Sequence, residues 1–220
     1  MRLRIYRFDS ITAKASENLD KEVDDQEVDP DWVARFFGYA QDVTQEEMQT
    51  LWSKLLAGEV SKPGSYSLKT LEVLRNLSRS DAKHFQQLAH FFIADAVYPN
   101  SKVISSAGIS YDVLLYMDEL GLLRTSFGLI KQFHNQVREG FKTTVPIITK
   151  KGWGIRVTGS KAVPHITLDA CLLTRVGREI ASTLKDVEPN LDYLREIANT
   201  WKKDGYQVDL LRPGGAVKLS

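Results

Sequence analysis

The sequence predicts a mainly helical α+β chain, with a helical N-terminal half packed on a winged-helix-like C-terminal part that carries a small antiparallel β-sheet. Three observations predict it. Apolar residues recur at three- and four-residue spacing up to about Val97. Beyond Pro99 one more helical stretch gives way to period-two alternation over 144–149, 153–158 and 165–172. Short Gly- and Pro-bearing turns punctuate the switch. These place a helical domain over 1–97, a winged-helix-like α+β domain over 98–211 and a loose tail over 212–220.

Each element has a local reason. Ile5, Phe8, Thr12, Ala15 and Leu19 share a helical face, and that helix opens without a capping residue, as a piece of a longer parent chain would. Asp29 suits an N-cap and Pro30 the first helical position, where a missing N–H costs nothing. Trp32, Val33, Phe36, Phe37 and Ala40 then form the buried stripe. Thr44 and Glu47 have capping-box spacing, with Val43 and Met48 placed as a hydrophobic staple, ahead of a stripe of Met48, Leu51, Trp52 and Leu55. Lys62-Pro63-Gly64-Ser65 reads as a turn. Ser67 caps a helix through Leu68, Leu71, Leu74 and Leu77, and Ser80 caps one through Phe85, Leu88, Phe92 and Ala96.

In the second half, a helix from Ser110 buries Val113, Leu114, Met117 and Leu120, and Gly121 supplies its left-handed end. Lys150-Lys151-Gly152 turns the first alternating stretch into the second, and 159–164 leads to the third. Thr174 caps a helix through Val176, Ile180 and Leu184, Asn190 caps the last helix, and Tyr206–Leu210 is a final strand. The order of helices, Leu-Gly-Leu-Leu, hairpin and Leu-Thr-x-x-Gly-x-Glu gives the winged-helix-like reading. It puts Tyr111–Leu120 in the recognition-helix position and Lys150–Gly154 in the wing.

Composition bounds the function. The 220 residues are 43 % apolar, 26 % charged and 10 % aromatic, an ordinary globular profile. A chain of this length buries roughly 70–75 % of its unfolded surface, so it needs no disulfide or metal for stability. The lone Cys171 excludes an internal disulfide and fits a reducing compartment. Met1–Ser10 alternates arginine with single apolar residues and lacks the apolar run of a signal peptide. Leu88–Val97 is too short to span a bilayer. A soluble cytoplasmic protein is expected.

Candidate chemistry is sparse. Alternating Asp25, Glu27, Asp29 and Asp31 suggest a calcium loop, but Pro30 and Phe36 stand where such a loop needs glycine and a bidentate glutamate. His84, His90, His134 and His165 are scattered, so no metal site is expected. Cys171 has no histidine placed to activate it, and Ser80–Lys83 and Ser182–Lys185 lack companion motifs. No phosphate-cradling loop or dinucleotide fingerprint occurs. An enzyme, a cofactor and a small-molecule substrate are therefore not expected.

Charge is more informative. Glu17–Asp31 holds eight acids against Lys21, whereas Leu122–Glu179 holds ten bases against three acids. Lys150, Lys151, Arg156 and Lys161, with Trp153 beside them, form a candidate surface for nucleic acid or for an acidic protein partner. The recognition-position helix, however, carries Asp112, Asp118 and Glu119 and no base, which opposes major-groove reading.

The run Asp31-Trp32 … Phe36-Phe37 … Gln45-Glu46-Glu47-Met48-Gln49-x-Leu51-Trp52-x-Lys54-Leu55-Leu56-Ala57-Gly58-Glu59 … Pro63-Gly64-x-x-Ser67-Leu68-Lys69-Thr70-Leu71 … Leu77-Ser78 resembles the uncharacterised bacterial family of domain of unknown function 2806. It is strongest over 29–95 and extends weakly to about 184. More remotely, the helix leading into Leu77–Ala82 is similar to the abortive-infection alpha family. The first resemblance implies no activity. The second implies a role in defence against phage and brings no catalytic residue. The expectation is a non-enzymatic protein-interaction module of a bacterial cytosolic protein, with an unknown protein partner. The alternative is a winged-helix-like protein that contacts the nucleic-acid backbone through its basic hairpin.

Overall fold

The computed structural model describes residues 2–19, 23–126, 128–184 and 187–219, with side chains from Asp9 onward. In chain order the helices are α1 (Arg2–Glu17), α2 (Pro30–Ala40), α3 (Glu46–Ser61), α4 (Leu68–Asn76), α5 (Arg79–Leu88), α6 (Lys102–Ser106), α7 (Tyr111–Glu119), α8 (Arg175–Ala181) and α9 (Leu191–Lys203). The strands are β1 (Ala96–Val97), β2 (Leu123–Arg124), β3 (Ile130–His134), β4 (Phe141–Pro146), β5 (Gly154–Gly159), β6 (His165–Asp169), β7 (Cys171–Leu173), β8 (Gln207–Arg212) and β9 (Gly215–Lys218). The protein is a mixed α+β chain with small antiparallel sheets.

It divides into two units. The first comprises Met1–Phe85 with Arg175–Thr183, and the second Gln86–Thr174 with Leu184–Ser220. In the first unit Asp29 caps α2 as predicted, its side chain accepting from the Asp31 and Trp32 N–H groups at 2.7 and 3.3 Å. Trp32, Phe36 and Trp52 are buried, with Trp32 stacked on Phe36 at 5.0 Å and Phe36 edge-on to Trp52 at 5.2 Å. Burying each such ring stabilises the fold by about 2–3 kcal/mol. Helix α3 is buried on more than one face, since Gln49, Ser53 and Glu59 are buried as well as Met48, Trp52 and Leu55. On α1 the buried side chains are Ile11 and Ala15, and Leu19 is exposed. Ile5 and Phe8 of the predicted stripe lie outside the described side chains.

Two caps differ from expectation. Helix α3 starts one residue later than predicted, with Gln45 at its N-cap and no side-chain cap bond, so the Thr44–Glu47 box does not form. Glu47 instead pairs with Arg79. Helix α5 is capped by Ser78 rather than Ser80: Ser78 Oγ accepts from the Asp81 N–H at 3.1 Å, and the Asp81 carboxylate accepts from the Ser78 N–H at 2.8 Å. Just before α8, the Thr174 hydroxyl donates to the Gly121 carbonyl at 2.6 Å.

In the second unit the predicted helix through Ala96 stops early. A 3₁₀ turn follows α5, Ala94 takes φ +52°, and Ile93 and Ala96 bridge to each other before β1. A continuous apolar run does not distinguish a buried helix from a buried strand. The three alternating stretches do not form one meander. β4 and β5 belong to a four-stranded sheet β4-β5-β8-β9, β6 pairs with β3, and β7 lies between β1 and β2. The turn predicted as the wing thus joins β4 to β5, whereas α7 leads into β2 of the β1-β7-β2 sheet. Nor is 212–220 wholly a loose tail. Pro213-Gly214, with Gly214 at φ +97°, turns the chain back so that β9 pairs with β8, Leu210 opposite Val217.

Candidate functional site

The basic hairpin is built by register. Thr144 on β4, Arg156 on β5, Asp209 on β8 and Lys218 on β9 form one row across the sheet. Alternation buries Ile155 and Val157 against the core and sends Arg156 to the other face. There its guanidinium bonds the Asp209 carboxylate at 3.0 Å, and Asp209 is only 5 % exposed. At the turn, Gly152 takes φ +80° and Lys150 pairs with Glu188. Trp153 is half-buried and its backbone N–H donates to the Lys150 carbonyl at 3.1 Å.

Of the five candidates, the structure brings Lys150, Lys151 and Trp153 together at one end of β5. Arg156 is midway along the strand and Lys161 lies beyond its other end. A six-residue strand spans about 17 Å, so the bases are distributed rather than clustered. Lys150 and Arg156 are already neutralised by carboxylates. Lys151 and Lys161 are exposed, and neither has an ion-pair partner among the described residues.

Helix α7 presents a different surface. Leu114 and Met117 are buried, which turns Tyr111, Leu115 and Tyr116 outward at 49, 39 and 42 % exposure, flanked by exposed Asp112 and Glu119. Asp118 is turned inward to β2, accepting from the Thr125 N–H at 2.9 Å and the Thr125 hydroxyl at 2.6 Å. Charge in the sequence singles out these acids but not the apolar residues between them. The signal was available, because Leu115 and Tyr116 fall between the two inward positions of an amphipathic helix.

Other reactive groups are held in structural roles. Burial, reinforced by the negative charge of Asp118, pushes the Cys171 thiol up to about 11, so it stays protonated at neutral pH and is a poor nucleophile. In the first unit, Glu59 is 1 % exposed and accepts from the Gly64 and Tyr66 N–H groups at 2.7 and 2.8 Å. Burial dominates there and raises its pKa. Glu179 on α8 accepts from the Ser67 N–H at 2.7 Å, the Ser67 hydroxyl at 3.0 Å, the Thr70 hydroxyl at 2.5 Å and Arg175 Nε at 2.7 Å. Burial opposes its ionisation, but these donors together outweigh burial and hold its carboxyl below the usual range.

A cavity of about 420 Å³ in the same unit is lined by Tyr39, Met48, Trp52, Leu74, Arg75 and Arg79. Three of its polar side chains are engaged locally: Arg75 covers the Tyr39 ring at 4.7 Å, Tyr39 donates to Glu72 at 2.5 Å and Arg79 pairs with Glu47. Among the described residues no group of three or more His, Cys, Asp or Glu is arranged to hold a metal ion, and no helix is long and apolar enough to cross a membrane.

Fold and surface together define a mixed α+β protein whose outward-facing chemistry lies on α7 and on the β4–β5 hairpin. Residues 6–107, from α1 through α6, match the model of a family described as a protein of unknown function, DUF2806. No curated protein and no solved structure matches the chain.

Proposed function

We propose that this chain is a non-enzymatic protein-interaction module that docks through α7. The observation that carries the reading is the face of Tyr111, Leu115 and Tyr116 between Asp112 and Glu119. Aromatic and aliphatic side chains exposed together on one short helix supply an interface centre, and the two acids supply a rim that favours a partner carrying Lys or Arg around an apolar patch. The sheet order β1-β7-β2 beside α6 and α7 supports a winged-helix-like arrangement, with 125–170 inserted where a simple wing would stand. In that arrangement α7 keeps the recognition position while lacking the bases that phosphates require. The resemblance of the helix leading into Leu77–Ala82 to the abortive-infection alpha family supports a cytoplasmic role in the bacterial response to phage or a mobile element.

The alternative, backbone contact with nucleic acid through the hairpin, rests on Lys151, Lys161 and Trp153, because Lys150 and Arg156 have carboxylate partners. One paired experiment separates the two. A photo-reactive residue at Leu115 or Tyr116, installed in the full chain in infected and uninfected bacterial cells, is expected to cross-link one discrete protein. Asp112→Lys with Glu119→Lys is expected to abolish the product, and Lys151→Glu with Lys161→Glu to leave it. Absence of any cross-linked protein overturns the docking reading. Micromolar binding to mixed-sequence DNA or RNA that weakens steeply with salt and disappears in Lys151→Glu/Lys161→Glu replaces it with the alternative.

A further inference from the structure

His134 and His165 are far apart in the chain, and β3 and β6 set them directly opposite each other. The Asn135 N–H donates to the Pro164 carbonyl at 2.8 Å, just beyond the pair. That flanking bond makes His134–His165 a non-hydrogen-bonded pair of the antiparallel ladder, where Cα atoms come within about 4.5 Å and side chains lie closest. Phe133, Ile166 and Leu168 are buried, so alternation puts both imidazoles on the solvent face, His134 exposed and His165 half-exposed. The ring centroids are 5.9 Å apart at 65°. Neither ring has a hydrogen bond or ion pair among the described residues. The other residues on this face of the ladder are Ile130, Gln132, Thr167 and Asp169, so no base on it repels a cation.

We propose that His134 and His165 form a two-imidazole chelate for a divalent ion of the zinc, nickel or copper type, with water in the remaining positions. Imidazole nitrogen binds such ions at about 2.0–2.1 Å, which sets the centroids of two rings sharing a tetrahedral ion about 5 Å apart. A small rotation of both rings closes the observed separation to that value. The ladder holds the two Cβ atoms in register, so little ordering is left for binding to impose. Imidazole ligation selects these ions over Mg²⁺ and Ca²⁺, which take oxygen. Two protein ligands make an open site, weaker than a closed structural zinc centre.

The test uses the full chain, isothermal titration and thermal unfolding in a non-chelating buffer. Zn²⁺ and Ni²⁺ are expected to bind one per chain and to raise the unfolding midpoint, EDTA to reverse the rise, and Mg²⁺ to leave it unchanged. His134→Gln and His165→Gln should each weaken binding at least about tenfold, with His84→Gln as the unaffected control. On the unaltered chain, the electron paramagnetic resonance spectrum of bound Cu²⁺ should show coupling to two imidazole nitrogens. Unchanged titrations in both variants, no saturable binding below about 1 mM, or coupling to a single nitrogen would each overturn the site.

Discussion

Two turns in this protein read almost alike in sequence and are held in opposite ways. Lys62-Pro63-Gly64 and Lys150-Lys151-Gly152 each place a base ahead of a glycine with positive φ, +82° at Gly64 and +80° at Gly152. The first is gripped from inside: Glu59 takes the N–H groups of Gly64 and Tyr66, and Glu179 takes Ser67 and Thr70. Tyr66 also packs so tightly on Gly58 that a Cβ there would meet its Oη at 2.6 Å. The second turn is held at the surface, by its own backbone bonds and by the pairing of Lys150 with Glu188, which is 63 % exposed. Residue types that favour a turn do not show how firmly it is fixed. Whether a buried carboxylate stands beneath it decides that.

The contrast is broken most directly at Glu59. Glu59→Ala leaves the buried Tyr66 N–H without an acceptor and releases the Gly64 N–H of the exposed turn, and is expected to cost about 2–3 kcal/mol, read as the urea midpoint at unchanged slope. Glu59→Gln, which keeps an acceptor, should cost clearly less. Equal, small losses in both variants would show that the inner turn is not held by this carboxylate.

Arg156→Ala tests a pair whose carboxylate is shielded from solvent, since it strips the buried Asp209 of its guanidinium. A loss of about 1–2 kcal/mol is expected, between the effects at the inner and outer turns. No loss would place Asp209 effectively in solvent.

Glu179 sharpens the comparison through pH. Its folded pKa lies below the ordinary 4.5, so its contribution is complete above that value and is lost as pH falls through the folded pKa. Glu59 has the opposite sign. Its folded pKa is raised, so the folded state holds the proton more tightly and stability from this group declines as pH rises from 4.5 through the folded pKa. The stability gap between wild type and Glu179→Gln should therefore narrow below pH 4.5 in urea unfolding. A gap constant down to acid pH would remove the carboxylate's charge from the account.

Lys150→Ala should do least. An exposed pair is worth about 0–1 kcal/mol and is screened by salt, so the thermal midpoint should move by no more than about 3 °C. A larger fall would make the hairpin turn as firmly anchored as its inner counterpart.

Much of the first unit was legible because helix stripes and caps are local. Asp29-Pro30, the Trp32–Phe36 face and the Met48–Trp52–Leu55 face needed only spacing and side-chain chemistry. Thr44 fails as a cap although its spacing is right, because the helix starts one residue later, with Gln45 at the N-cap, and the Glu47 side chain that would complete the box pairs with Arg79 from a distant part of the chain. The second unit was legible as alternating strands and not as sheets. Period two identifies which residues share a face and carries no information about which strand lies alongside.

What the sequence determined by itself is therefore the class of protein: helical followed by alternating, with a basic hairpin and an acidic α7. Tertiary structure alone decided the pairings. It gave Arg156 to Asp209 and Lys150 to Glu188, set Glu59 and Glu179 around one turn, and brought His134 to His165. The physical reason is range. Propensity, capping and periodicity act over a few residues, whereas strand register and buried hydrogen bonds join groups that only the folded chain brings within reach.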